Sequence, residues 1–181
     1  ELSLDHHFLK EKSKELLDII LCKARQILES TFIDLFVVSP NKKTLRVSSS
    51  KSQSGVNLPT VDVDISKGAP GLAIVTKGAV IANAPVQGAY FDPQHDVFVD
   101  TFSCSDVELQ NILAVPILST EMGEVLAVIQ FVNRLNGGDF SEDDRDRVIV
   151  LIRVLGGVLE DSVELIGMGF FGRLWRESQN F

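Results

Sequence analysis

Only three histidines, two cysteines and one tryptophan occur in the chain, and each scarcity removes a class of chemistry. His6 and His7 fall together at a helix start and His95 stands alone in a loop, so no His-rich metal centre can be assembled, and neither HExxH nor an HD-type cluster is present. Cys22 and Cys104 are far apart and form no CxxC. That pattern predicts a reduced, cytoplasmic compartment with each thiol acting as a small buried hydrophobe. Cationic residues are short as well: 17 Lys and Arg against 25 Asp and Glu, a net charge of −8. With no basic stripe beyond the "NKK" at 41–43, nucleic acid is excluded as a partner. No apolar run reaches the roughly 20 residues of a membrane helix, and the charged start "ELSLDHHFLKEKSKE" has no signal-peptide core. With no initiator Met, the chain is expected to be a piece of a longer protein.

Nucleophile and phosphate motifs are missing too. There is no G-x-S-x-G elbow, no Walker A loop and no G-x-G-x-x-G after a strand, and "GAPG" at 68–71 is too short and lacks the lysine. "SEDDRD" at 141–146 lacks the EF-hand spacing and reads as a capped, solvated helix start. No catalytic constellation is expected in this chain. What remains is 45% hydrophobic residues, enough for a core that needs no disulfide or metal.

Periodicity sets the order of elements. Residues 7–30 predict an amphipathic helix with a stripe of Leu9, Leu16, Ile20, Ala24 and Ile27. "TFIDLFVVS" at 31–39 and "TLRVSSS" at 44–50 predict paired strands around the turn "PNKK", followed by a mobile Ser/Lys/Gly loop over 48–60. "VDVDI" at 61–65 alternates as a short strand. "SKGAPGLAIVTKGA" predicts a small helix capped by Ser66, loosened by Gly68 and Gly71 and ended by Gly78. "VIANAP" is a further extended piece, and 86–110 a long loop, a length usually kept for function. "NILAVPIL" at 111–118 is a strand whose Pro116 predicts an edge or a bulge. "VLAVIQFVNR" at 125–134 is nearly all apolar and so central. Ser141 with Asp144 caps a last helix carrying Val148, Leu151, Leu155, Val158, Val163 and Ile166. With no βαβ alternation, the class is α+β: one antiparallel sheet, terminal helices on one face and a loop-rich cap over the other.

The last of these stretches, "VIQFVNRLNGGDFSEDDRDR", ends a strand in Asn133-Arg134, places Phe140 after a variable loop and Asp144 shortly beyond. It resembles the GAF domains in the regulatory regions of cyclic-nucleotide phosphodiesterases, with Arg134 in place of Lys and Arg145 in place of Glu. "GAPGLAIVTKG", "NAP" then "AYFDP", "QNILAVPI" and "GEVLAVIQFVNR" resemble further family segments in the same order, over roughly 30–160. The resemblance implies a GAF domain at 31–166, an N-terminal helix at 1–30 and a tail or linker at 167–181. It implies that Arg134 and Asp144 pair across the corner while Phe140 fills the core below. It also implies a pocket for an allosteric ligand, cyclic GMP or cyclic AMP, lined by Asp34, Leu72, Ala73, Tyr90, Asp106, Leu109 and Gln130. Leu72, Ala73 and Tyr90 would meet the phosphate and Asp34 the base. Several pocket positions depart from the family. Asp34 replaces a small polar residue, Gln130 an acidic one, Asp106 and Leu109 fall where binders often carry threonines, and Pro70 removes one N–H from the phosphate-facing turn. Two functions stay open: a ligand-binding regulatory module, or a ligand-free domain that dimerises through its terminal helices and transmits a signal. No metal or obligatory cofactor is expected.

Overall fold

A computed structural model describes residues 2–55, 62–83, 109–120 and 123–154. The described elements are helix α1 (Leu2–Ile27), strands β1 (Ser30–Val38), β2 (Thr44–Ser52) and β3 (Asp62–Asp64), helix α2 (Gly68–Thr76), strands β4 (Val80–Asn83), β5 (Asn111–Leu118) and β6 (Val125–Arg134), and helix α3 (Glu142–Val154). The strands form one six-stranded sheet in the order β3-β2-β1-β6-β5-β4, with every pairing antiparallel. β6 lies at the centre between β1 and β5. Its continuous apolar run therefore has a covered face on each side, as expected for a strand buried twice over.

Strand alternation divides the core in two. Ile33, Leu35 and Val37 of β1, Val115 and Ile117 of β5, and Ala127, Ile129 and Phe131 of β6 turn to α1 and α3, where Leu17, Leu21, Phe140 and Val148 close the cluster. Phe32 and Phe36 of β1, Ile112 and Ala114 of β5, and Val128 and Val132 of β6 turn the other way, toward Ala69 and Ala73 of α2. This is the expected α+β architecture, with both terminal helices on one face.

Several details differ from the sequence reading. α1 begins at Leu2, earlier than expected, and ends at Ile27, where Glu29 takes a left-handed conformation (φ 49°) before the strand. The stripe it buries is Leu17, Ile20, Leu21, Ala24 and Leu28, while Leu16 and Ile27 are exposed. The expected stripe was thus rotated, because "ELLDIILCKARQIL" offers apolar residues on two adjacent faces and only docking selects one. β2 runs on through Ser52, so the expected loop begins later than residue 48. Lys67, not Ser66, is the N-cap of α2 and supplies no side-chain bond; the Ser66 hydroxyl instead donates to Asp64 (2.6 Å). Lys77, left-handed at φ 50°, ends α2 ahead of Gly78. Gly71 is required for contact: a Cβ there would lie 2.6 Å from the carbonyl carbon of Ser66 and 2.8 Å from the Ile65 oxygen. The absence of a side chain lets α2 press against that segment.

Pro116 is accommodated as expected of an interrupted edge. β4 pairs with β5 only as far as Val80–Ala114, so Pro116 faces no β4 residue, and the β5–β6 register shifts between Ile117 and Leu118. No described helix is long and apolar enough to cross a membrane.

Candidate ligand site and its supporting corner

On the α2 face a polar row crosses the sheet. Ser50 of β2 pairs with Asp34 of β1, Asp34 with Gln130 of β6, Gln130 with Ala114 of β5, and Ala114 with Val80 of β4. Apolar rows lie on both sides of it, Phe32–Val132–Ile112 and Phe36–Val128–Pro116. Asp34 and Gln130 are both wholly buried. Neither carboxylate oxygen of Asp34 and neither amide atom of Gln130 makes a hydrogen bond. Burial holds the Asp34 pKa far above the ordinary 3.8, at about 7, and the Ser50 hydroxyl beside it only partly offsets this. A buried polar group without a partner costs about 1–3 kcal/mol, and a charged one more. Four such atoms lie on these two directly paired residues.

Of the other expected pocket residues, Ala73 is buried beneath α2 in the same cluster and Leu109 packs against its edge. Leu72 is half-buried, and both Leu72 and Ala73 lie in the second turn of α2, not at its start. Their N–H groups fall within the helix's own ladder, so the unpaired donors of the first turn belong to Gly68 and Ala69, Pro70 having none. Tyr90 and Asp106 lie outside the described residues, as do His95 and Cys104. Cys22 is a free, half-buried thiol on α1. Among the described residues no group of three or more His, Cys, Asp or Glu could hold a metal ion.

A hollow of about 340 Å³ lies between the end of β5 and α3 on the opposite side of the sheet, lined in part by Val115, Ile117, Ile149, Ile152 and Arg153. Its floor is apolar and it is remote from the Asp34–Gln130 row, where the unpartnered buried atoms are; the chemistry places the candidate site at the row.

The corner that ends β6 fixes the frame around the site. Asn133 adopts a left-handed conformation (φ 50°), one that Asn tolerates better than most residues. Its side-chain carbonyl accepts the N–H groups of Gln110 (2.8 Å) and Asn111 (3.3 Å). The side chain of Asn111 returns the favour, accepting the Arg134 N–H (3.0 Å) and donating to the Gly138 carbonyl (3.0 Å). Asn83, at the end of β4, accepts the Phe140 N–H and donates to the Phe140 carbonyl, both at 3.0 Å. Arg134 donates to Asp144 (2.8 Å), and Asp144 also accepts the backbone and hydroxyl protons of Ser141 (both 2.9 Å) while its own N–H goes to the Ser141 hydroxyl (3.2 Å). That is a reciprocal cap with aspartate in the acidic role. Phe140 is 2% exposed beneath it. The expected Arg134–Asp144 clamp is therefore present. Asn83 and Asn111, whose side chains tie the same corner, were not anticipated; the one available signal was an Asn at the end of one short apolar segment and at the start of another, which is weak by itself.

No protein-family model matches the chain, and neither does any curated protein sequence. Solved structures do match. The GAF domain of a phosphoenolpyruvate-protein phosphotransferase from Acinetobacter superposes with a TM-score of 0.62 at 17% identity, covering 90% of this chain and 95% of that one. The GAF domain of a two-component sensor histidine kinase from Bacillus halodurans gives 0.62 at 19% identity, covering 85% and 97%. A free methionine-R-sulfoxide reductase from Thermoplasma acidophilum gives 0.65 at 14% identity, covering 84% and 96%. Likeness at such low identity speaks to architecture and leaves activity open. On its antiparallel sheet, its helices packed on one face and these neighbours, the chain has the GAF-type fold.

Proposed function

We propose that this chain is a regulatory, non-catalytic module of a larger signalling protein and binds a small polar ligand, a cyclic nucleotide in the first instance, on the α2 face of its sheet. The observation that carries this reading is the Asp34–Gln130 pair: two polar side chains, wholly buried, adjacent in register and without hydrogen-bond partners. A core with no ligand to receive would be more stable with apolar side chains at both positions. A nucleotide base supplies the planar, hydrogen-bonding edge that such a pair requires, and the apolar rows on either side supply surface for the ring. GAF domains of sensor and regulatory proteins among the structural neighbours agree with a regulatory role.

The test is thermal denaturation with cyclic GMP and cyclic AMP. Saturation to about 100 times Kd stabilises the folded state by about 2.7 kcal/mol, a rise in Tm of roughly 5–10 °C for a domain of this size. A Tm unmoved by millimolar amounts of either nucleotide sinks the cyclic-nucleotide reading.

A second reading, dimerisation through the terminal helices with or without ligand, has its own support. Leu16, Ile19 and Ile27 of α1 and Val150 of α3 are exposed. Ile27 and Val150 border an apolar cleft between the two helices, floored by Ala24, Leu28, Val148 and Leu151. A contiguous apolar strip of that kind is an interaction surface when a partner covers it. Sedimentation velocity tests it: a monomer at high micromolar concentration argues against it.

A further inference from the structure

We propose that the hollow between β5 and α3 is a binding site for a small amphipathic carboxylate, with its aliphatic body in the hollow and its single anionic head held at the mouth by Lys77 and Arg153. The site lies on the helix face of the sheet and stands apart from the α2-face ligand site proposed above, so neither depends on the other.

The hollow exists because β4 parts from β5. Their pairing runs from Asn83–Asn111 to Val80–Ala114 and stops. The next two β5 residues are Val115 and Pro116, and a proline has no N–H with which to continue the ladder. On the other side the chain leaves the left-handed end of α2 at Lys77 and brings only Gly78 and Ala79 alongside β5. A glycine and an alanine are too small to fill the space between the sheet and the α3 side chains Ile149 and Ile152. A Cβ added at Gly78 would meet nothing closer than 3.6 Å. What results is a recess of about 340 Å³, within the roughly 300–1,000 Å³ of small-molecule pockets. Its aliphatic walls lack partner atoms on one side, and a hydrocarbon body restores those contacts as it leaves water.

Charge selects the head. The chain has 25 Asp and Glu against 17 Lys and Arg, yet among the described residues the hollow is lined by two cations, Lys77 and Arg153, and by no acid. Both residues are exposed, which sets their charges at the mouth of the recess. Neither is neutralised from its own surroundings. Positions three and four before Arg153 on α3 hold Val150 and Ile149, so no carboxylate reaches it from the preceding turn. Lys77 donates to the Gly123 carbonyl (2.8 Å), a partner without charge. Glu124, which lies in the field of Lys77, is already bonded to Lys42 (2.7 Å). A carboxylate can accept from an ammonium and a guanidinium at once. An apolar recess with two uncompensated cations at its mouth calls for a ligand with one apolar and one anionic end.

Isothermal titration of the whole chain with octanoate, hexanoate and 1-octanol tests the proposal. Octanoate should bind saturably at one site, and hexanoate, two methylenes shorter, up to roughly fifteenfold more weakly. Arg153→Glu reverses an exposed charge at the mouth; it should weaken octanoate roughly three- to tenfold and leave 1-octanol unchanged. Ala79→Leu fills the recess and should abolish the binding of both without lowering Tm. Should Ala79→Leu fail to fold, Arg153→Glu still decides, because its side chain supports no packing that octanol binding would not also report. Four outcomes overturn the inference: no saturable octanoate binding at millimolar concentration, an Arg153→Glu variant that weakens both ligands or neither, undiminished binding by a folded Ala79→Leu, or octanoate affinity that vanishes as the protein self-associates, which assigns the hollow to a second copy. None of them touches the α2-face site, whose own titration uses cyclic nucleotides.

Discussion

Replacing Asp34 by Asn should make the free protein more stable as the pH rises, the reverse of what loss of a native charged residue usually does. The argument follows from where the proton sits. In the unfolded chain the Asp34 carboxyl has its ordinary pKa of 3.8, and in the folded chain burial raises it to about 7. Below the lower value both states hold the proton and the group contributes nothing to pH dependence. Between the two values the folded state holds a proton that the unfolded state has released, so stability falls as the pH rises. Above about pH 7 the folded carboxylate is charged, buried and without a hydrogen-bonded partner, and the loss is complete. A span of about three pH units at roughly 1.4 kcal/mol each makes the full effect roughly 4 kcal/mol. That is a ceiling, because any relaxation admitting water to the carboxylate reduces it. Asn is close in size and does not titrate. Urea denaturation of both proteins at intervals between about pH 4 and pH 8.5 should give curves that nearly coincide at the acid end. They should separate through neutrality, with the variant ahead by at least roughly 2 kcal/mol at the alkaline end. Thermal scans should show the same divergence as roughly 4–8 °C or more. Parallel profiles would refute the reasoning, since they would mean that Asp34 is solvated or paired in the free protein.

Further substitutions check the frame around the site and the exposed faces of the helices. Arg134→Ala removes the ion pair to an Asp144 that is 3% exposed; because Ser141 still donates to that carboxylate, the expected loss is roughly 2–3 kcal/mol by urea denaturation, and a loss below about 0.5 kcal/mol would show that the clamp is incidental. Gly71→Ala forces a methyl into contacts of 2.6–2.9 Å with the Ile65–Ser66 backbone, so α2 must move: stability should fall by about 1–3 kcal/mol and any ligand response should weaken, whereas Gly78→Ala, whose nearest neighbour is at 3.6 Å, should do neither. Ile19→Glu combined with Val150→Glu places charge on side chains 54% and 57% exposed; monomer stability should shift by no more than about 0.5 kcal/mol each, while sedimentation should report loss of any self-association that runs through these helices.

Where the sequence was informative, the reason is local. "NILAVPIL" and "VLAVIQFVNR" delimit β5 and β6 to the residue, because each is a branched apolar run bounded by polar residues. The Ser141–Asp144 cap could be read at a spacing of three residues, and it is found. The readings that went astray depend on contacts a sequence does not print. The face that α1 buries is decided by the sheet it lies against, since Leu16, Leu17, Ile19, Ile20 and Leu21 cover most of the helix circumference at one level. Asn83 and Asn111 act at long range, Asn83 on a residue 57 positions away and Asn111 on residues 23 and 27 away, and nothing near them announces it. The candidate site stands between these cases. Asp34 and Gln130 could each be marked as departures from a resembled family, an acid where a small polar residue was expected and an amide where an acid was expected. Strand register adds the decisive relation, that the two are paired directly across β1 and β6. Taken singly, the two departures look like the loss of a binding site. Taken as a pair, they put the acid one strand across the same row with an amide beside it. The two unpartnered polar side chains lie in a row walled by Phe32, Phe36, Val128 and Val132. That pairing is the relation on which the proposed ligand site rests, and the pH profile of Asp34→Asn is the measurement that tests it.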